Sequence, residues 1–190
     1  MSEARLTLYL TRLLDTLQRE LKDNPLAVYL FGSTGYNAYE PETSDVGVYT
    51  IIHEPIPDYK ELACKISYAS IPCPARKLEF ILFTKANAAL QTRSPQVEMN
   101  FNTGRDMEDD YINLDPSTGV SLFGLPAGEV FTAPKVEWHH QQPLLTYDGV
   151  LNGCRALRFA KTGKWGSKKE GEMGFLDFVH AEIQQCRGRT

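Results

Sequence analysis

One run constrains this chain more than any other: Lys77-Leu78-Glu79-Phe80-Ile81-Leu82-Phe83-Thr84. Read as a β-strand, it sends Leu78, Phe80 and Leu82 to one sheet face and Glu79, Ile81 and Phe83 to the other. Both faces are apolar, so the strand belongs inside a covered sheet and carries a carboxylate in with it. A buried, unpaired carboxylate is expensive. It persists where it meets a cation, a metal or a reacting proton. A salt bridge to Arg76 or to another base is the plainer alternative.

The other elements follow from periodicity. Leu6, Tyr9, Leu10, Leu13, Leu14, Leu17 and Leu21 recur at helical spacing, and Asn24-Pro25 stops that helix. Leu26 to Phe31 is a short apolar run, too brief for a helix and rich in strand formers. Breakers occupy the stretch from Gly32 to Ser44, after which Val46 to Ile52 reads as a second strand. A helix is expected over Asp58 to Ala69, the third strand over Lys77 to Thr84, a short helix over Ala86 to Leu90 and a fourth strand over Val97 to Asn102. Residues 104–115 are polar and acidic and suggest no regular element.

After the fourth strand helices only are expected, and beyond Pro134 the character of the sequence changes. Leu144 to Lys161 carries apolar positions at Val150, Leu151, Cys154, Leu157 and Phe159, and Ser167-Lys168-Lys169-Glu170 has the form of a capping box. The expected organisation is a sheet domain over residues 1–134 and a partial helical domain over 135–190.

Composition narrows the function classes. The 190 residues carry 20 Lys and Arg against 24 Asp and Glu, a net charge of −4, with 42% hydrophobic and 23% charged residues. That is a globular composition, not a disordered one. An acidic balance also argues against broad nucleic-acid binding, which needs clustered cations. Cys64, Cys73, Cys154 and Cys186 show neither zinc-ligand spacing nor the density of a disulfide scaffold. The N-terminus lacks a signal-peptide core, and no apolar stretch reaches the roughly 18 residues needed to span a bilayer. A reduced, soluble, cytoplasmic protein is expected, with neither membrane nor nucleic acid as a partner.

The chemistry centres on Tyr29-Leu30-Phe31-Gly32-Ser33 and, after ten intervening residues, Ser44-Asp45-Val46-Gly47-Val48. A strand opening into Gly-Ser lets backbone N–H groups approach a phosphate closely. A carboxylate at the start of the neighbouring strand is then placed to hold Mg²⁺ on the same phosphates.

Together with Glu79, these segments resemble the nucleotidyltransferase superfamily related to DNA polymerase β, and within it the streptomycin/spectinomycin-type aminoglycoside adenylyltransferases. The likeness continues through Gly119-Val120-Ser121-Leu122-Phe123-Gly124, Val150-Leu151-Asn152-Gly153-Cys154-Arg155-Ala156-Leu157 and Thr162-Gly163-Lys164-Trp165-Gly166-Ser167-Lys168. It implies an α+β fold, a nucleotidyltransferase-like small mixed β-sheet flanked by helices and followed by a truncated α-helical lobe. It further implies transfer of AMP from Mg-ATP to a hydroxyl of a small, aminoglycoside-like molecule. Gly32, Ser33 and Lys168 would hold the nucleotide, Asp45 and Glu79 the Mg²⁺, and Glu79 would act as base.

One departure bears on activity. The second Asp of the family motif is Gly47 here. Residues 45 and 47 share a strand face, the arrangement by which two carboxylates grip metals about 3.5–4 Å apart. The same residues therefore also fit a catalytically inactive, nucleotide-binding module. Other candidates have structural explanations. Lys161, Lys164, Lys168 and Lys169, with Arg155 and Arg158, suit a solvated helix end. Trp165 suits packing between lobes, adjacent His139 and His140 face different ways, and Asp106, Glu108, Asp109 and Asp110 suit a solvated loop.

Overall fold

The computed structural model describes residues 2–35, 39–92, 94–103, 116, 119–133, 135 and 173. The chain divides into two compact units, Met1–His140 and Gln141–Thr190. The sheet and its helices belong to the first. The expected helices over 144–161 and from 167, and with them the 135–190 domain, lie outside the described residues but for the isolated residues 135 and 173.

The amphipathic stripe forms α1, Ser2–Leu21, which buries Tyr9, Leu13, Leu17 and Leu21. Lys22, at φ +56°, turns the chain out of the helix. Asn24 then fixes the exit: its side-chain amide donates to the Glu54 carbonyl at 2.7 Å and accepts from the Glu54 N–H at 2.9 Å. Pro25 opens β1, Pro25–Phe31, and β2 follows at Val46–Ile52. Helix α2, Tyr59–Ile66, starts where the Asp58 carboxylate accepts from the N–H groups of Lys60 and Glu61 at 2.9 and 3.1 Å. Strand β3 is Leu78–Thr84, α3 is Lys85–Ala88 and β4 is Met99–Phe101.

The five strands lie in the order β4-β3-β2-β1-β5. β1 is antiparallel to β2, and β2 is parallel to β3, the pair whose connection carries α2. β5, Val120–Gly124, corrects the expectation of helices only after the fourth strand. It pairs antiparallel with β1, and the one-turn helix α4, Ala127–Val130, follows it. As an edge strand half open to solvent it needs no continuous apolar run, so periodicity does not reveal it. Its closing Gly124 is at φ +78°, and a Cβ there would lie 2.0 Å from the Leu26 carbonyl oxygen. Only glycine lets the two backbones come that close.

Each sheet face carries its own core. On one, Val28, Leu30, Val46, Val48, Leu78, Phe80 and Leu82 pack under α1 and α2. On the other, Ala27, Tyr29, Phe31, Tyr49, Ile51, Ile81 and Phe83 meet Ala88, Ala127, Val130 and Phe131. The Phe131 ring sits between 5.7 and 6.3 Å from those of Tyr29, Phe31, Tyr49 and Phe83. The alternation read from residues 78–83 is thus the alternation of the two cores.

Candidate functional site

β1 runs against β2 and β3, so its C-terminal end lies beside their N-terminal ends. Register makes this specific: Phe31 pairs with Gly47, and Gly47 with Glu79. Gly32 follows Phe31 at φ +74°, with nothing within 4 Å of where a Cβ would stand. Glycine is needed there for conformation and not for space. Gly32-Ser33-Thr34 then form a tight 3-10 turn, in which the Thr34 hydroxyl donates to the Phe31 carbonyl at 2.9 Å and Gly35 N–H donates to the Gly32 carbonyl at 2.9 Å.

Ser44 works within its own turn: its N–H donates to the Glu40 carbonyl at 2.8 Å and its hydroxyl accepts from the Glu40 N–H at 2.9 Å. Asp45 comes next, one residue before β2. Arg76 grips it in a two-pronged pair, Nε to Oδ1 at 2.8 Å and Nη2 to Oδ2 at 2.5 Å. The backbones alongside are also joined, with Arg76 N–H donating to the Ser44 carbonyl and Val46 N–H to the Lys77 carbonyl.

Glu79 departs from the enclosed carboxylate expected of it. Its side chain is 24% exposed and pairs with Lys77, Nζ to Oε1 at 2.8 Å. The second residue of β3 stands at the sheet's end, where the covering core stops. Of the two bases beside it, Arg76 serves Asp45 and Lys77 serves Glu79. Lys77 Nζ also donates to the Asn102 carbonyl at 2.7 Å. The signal for Lys77 lay in the sequence, since positions 77 and 79 share a strand face. The contribution of Asn102 did not, for it depends on a backbone at φ +63°.

Gly47 stands between these groups. A Cβ at 47 would lie 3.1 Å from the Phe31 carbonyl oxygen. Nearby, burial pushes the Cys73 thiol up, the Asp45 charge acting in the same direction, so this cysteine is a poor nucleophile. Among the described residues no group of three or more His, Cys, Asp or Glu could hold a metal ion. Asp45 and Glu79 are carboxylates at this end of the sheet.

The fold is similar to that of the crystal structure of spectinomycin adenyltransferase AAD(9) from Enterococcus faecialis with ATP and spectinomycin. The two share a TM-score of 0.61 at 14% identity, over 87% of this chain and 80% of that one. The fold is nucleotidyltransferase-like. No protein-family model matches the chain, and no curated protein matches it in sequence.

Within this nucleotidyltransferase-like fold, the sequence candidates Gly32, Ser33, Asp45 and Glu79 all belong to one end of the sheet. Gly119, from the segment likened to the family before β5, packs onto the same strand end: a Cβ there would come within 2.6 Å of the Phe31 ring. Lys168, the surrounding basic cluster, Trp165, His139, His140 and the acidic run at 106–110 lie outside the described residues. No described helix is long and apolar enough to cross a membrane.

Proposed function

We propose that the sheet end bearing Gly32, Ser33, Asp45 and Glu79 is a nucleotide site whose chemistry is transfer of AMP from ATP to a hydroxyl of a small, aminoglycoside-like molecule. The observation that carries this reading is the register Phe31–Gly47–Glu79. It brings a left-handed glycine and two carboxylates to one end of the sheet, on a fold whose solved counterpart holds ATP and spectinomycin.

The backbone of Gly32-Ser33 and the Ser33 hydroxyl hold the triphosphate. Glu79 takes the proton from the acceptor hydroxyl. The acceptor oxygen then bonds to the α-phosphorus as the bond to pyrophosphate breaks. Asp45 and Glu79 are hard oxygen donors of the kind that Mg²⁺ prefers, with waters and phosphates completing its shell. When bound there, Mg²⁺ supplies charge neutralisation to the triphosphate.

A second reading, nucleotide binding without transfer, has its own observation. Gly47 contributes no carboxylate, and Arg76 and Lys77 engage both of the acids that remain. As a base, Glu79 would first have to leave Lys77.

Calorimetric titration of ATP with Mg²⁺, paired with a pyrophosphate-release assay over aminoglycoside acceptors, separates the two. Binding with release supports transfer, binding alone supports the second reading, and neither refutes both. Glu79→Gln is expected to lower turnover by ~10²–10⁴-fold with ATP affinity retained. Turnover that survives the change removes Glu79 as the base.

A further inference from the structure

Asp45 is largely covered, and the group that grips it is not. The Asp45 side chain is 16% exposed, whereas that of Arg76 is 59% exposed. On the acid's side the grip is complete. Nε donates to Oδ1 at 2.8 Å and Nη2 to Oδ2 at 2.5 Å, so the guanidinium spans both carboxylate oxygens. Those are the oxygens that a divalent cation at Asp45 would need.

The main chain beside the pair is fixed independently of it. Arg76 N–H donates to the Ser44 carbonyl at 3.1 Å, and Val46 N–H donates to the Lys77 carbonyl at 2.9 Å. The guanidinium can therefore leave Asp45 by side-chain rotation, with the backbone pairing intact. An ion pair whose cation is this open to water is weak, worth up to about fivefold in an equilibrium. Charge gives the exchange its direction. Asp45 and Glu79 each carry a base, Arg76 and Lys77, and these four charges cancel. Such a set draws a bare divalent cation weakly. A triphosphate adds anionic oxygens, and a guanidinium displaced from Asp45 then loses less.

We propose that Arg76 is an exchangeable placeholder for the divalent cation at Asp45. It neutralises the acid in the nucleotide-free protein and yields both carboxylate oxygens when Mg-ATP binds. The proposal rests on the nucleotide-site reading above. Arg76 is a positioning residue that acts through Asp45: it keeps the acid in place, and it holds down the affinity for bare metal until nucleotide is present.

The test reads Arg76 in the parent chain. Its Nε–H resonance, assigned by its absence from Arg76→Lys, is followed by ¹⁵N NMR during titration with Mg-ATP. The signal should shift and exchange faster with water as the bond to Oδ1 is lost. A resonance unmoved at saturation with Mg-ATP overturns the role of Arg76 and leaves the nucleotide site standing. Binding of Mn²⁺, which shares the preference of Mg²⁺ for oxygen ligands, is measured from the paramagnetic signal of the free ion. The proteins compared are the parent, Arg76→Gln, and Arg76→Gln combined with Asp45→Asn. Arg76→Gln should bind Mn²⁺ about two- to fivefold more tightly than the parent, and the gain should vanish once Asp45 is also changed. No gain, or a gain that survives loss of the acid, overturns the proposal. If the parent does not bind Mg-ATP, the nucleotide site itself falls, and this proposal with it. The resonance is read in the parent, so that outcome does not depend on Arg76→Gln folding.

Discussion

Position 47 lies in register with Phe31 on one side and Glu79 on the other, so any side chain placed there meets both. A Cβ would stand 3.1 Å from the Phe31 carbonyl oxygen. That oxygen cannot retreat freely. It accepts the Thr34 hydroxyl at 2.9 Å, and the Phe31 ring is packed 4.9 Å from that of Tyr49. Overpacking of this kind costs ~1–3 kcal/mol. Removing a strand glycine returns roughly 0.5–1 kcal/mol of chain entropy. Gly47→Ala should therefore lose about 1 kcal/mol, which lowers the melting temperature by ~2–4 °C in a chain of this size.

Gly47→Asp adds a carboxylate beside Glu79. Like charges in facing strand positions cost a further ~0.2–1 kcal/mol, toward the lower end here because Lys77 already screens Glu79. Thermal melts of the parent, Gly47→Ala and Gly47→Asp, each in EDTA and in Mg²⁺, read these contributions apart. Ala should sit below the parent in both buffers. Asp should fall lower still in EDTA and recover toward Ala in Mg²⁺, as a cation joins the two acids. Gly47→Ala melting above the parent would refute the close approach to Phe31. Gly47→Asp matching Gly47→Ala in both buffers would refute the pairing of positions 47 and 79.

Gly124→Ala should be the harsher glycine change, losing more than ~2 kcal/mol, because it combines a left-handed backbone with a Cβ 2.0 Å from the Leu26 carbonyl; an unchanged denaturation midpoint would refute the β1–β5 contact. Burial pushes the Tyr29 phenol up to about 12, with Glu129 adding to it, and pushes Tyr9 in the same direction. The unfolded chain then ionises first, near 10.0, so stability is full below that pH and falls as pH rises from 10.0 toward 12. Tyr29→Phe should start less stable, having lost its 2.8 Å bond to the Leu125 carbonyl, and should show a shallower alkaline decline. An unaltered alkaline slope would refute the assignment.

The central elements were legible because their determinants are local. The stripe from Tyr9 to Leu21 needs only the helical period, and β2 and β3 begin and end within a residue of their apolar runs. Gly32-Ser33 was legible as a break between a strand and a turn. β5 was not, because an edge strand is specified by the strand it joins and not by its own hydrophobicity. The partners of the acids were half legible. Arg76 was visible as a nearby base, yet it grips Asp45 while Lys77 pairs with Glu79, since the parallel ladder joins residue 76 to residue 44 and carries Arg76 alongside Asp45.

By itself, then, the sequence determined which segments become strands and helices, where the chain must break, and that residue 47 brings no carboxylate. Each depends on side-chain chemistry over a few neighbouring positions. Tertiary structure alone decided that Gly47 is flanked by Phe31 and Glu79, that Arg76 and Lys77 take one acid each, and that a left-handed Asn102 fixes the lysine. Those facts come from sheet register and from turns that close over distant residues. Backbone pairing settles such geometry between strands, and no local pattern encodes it.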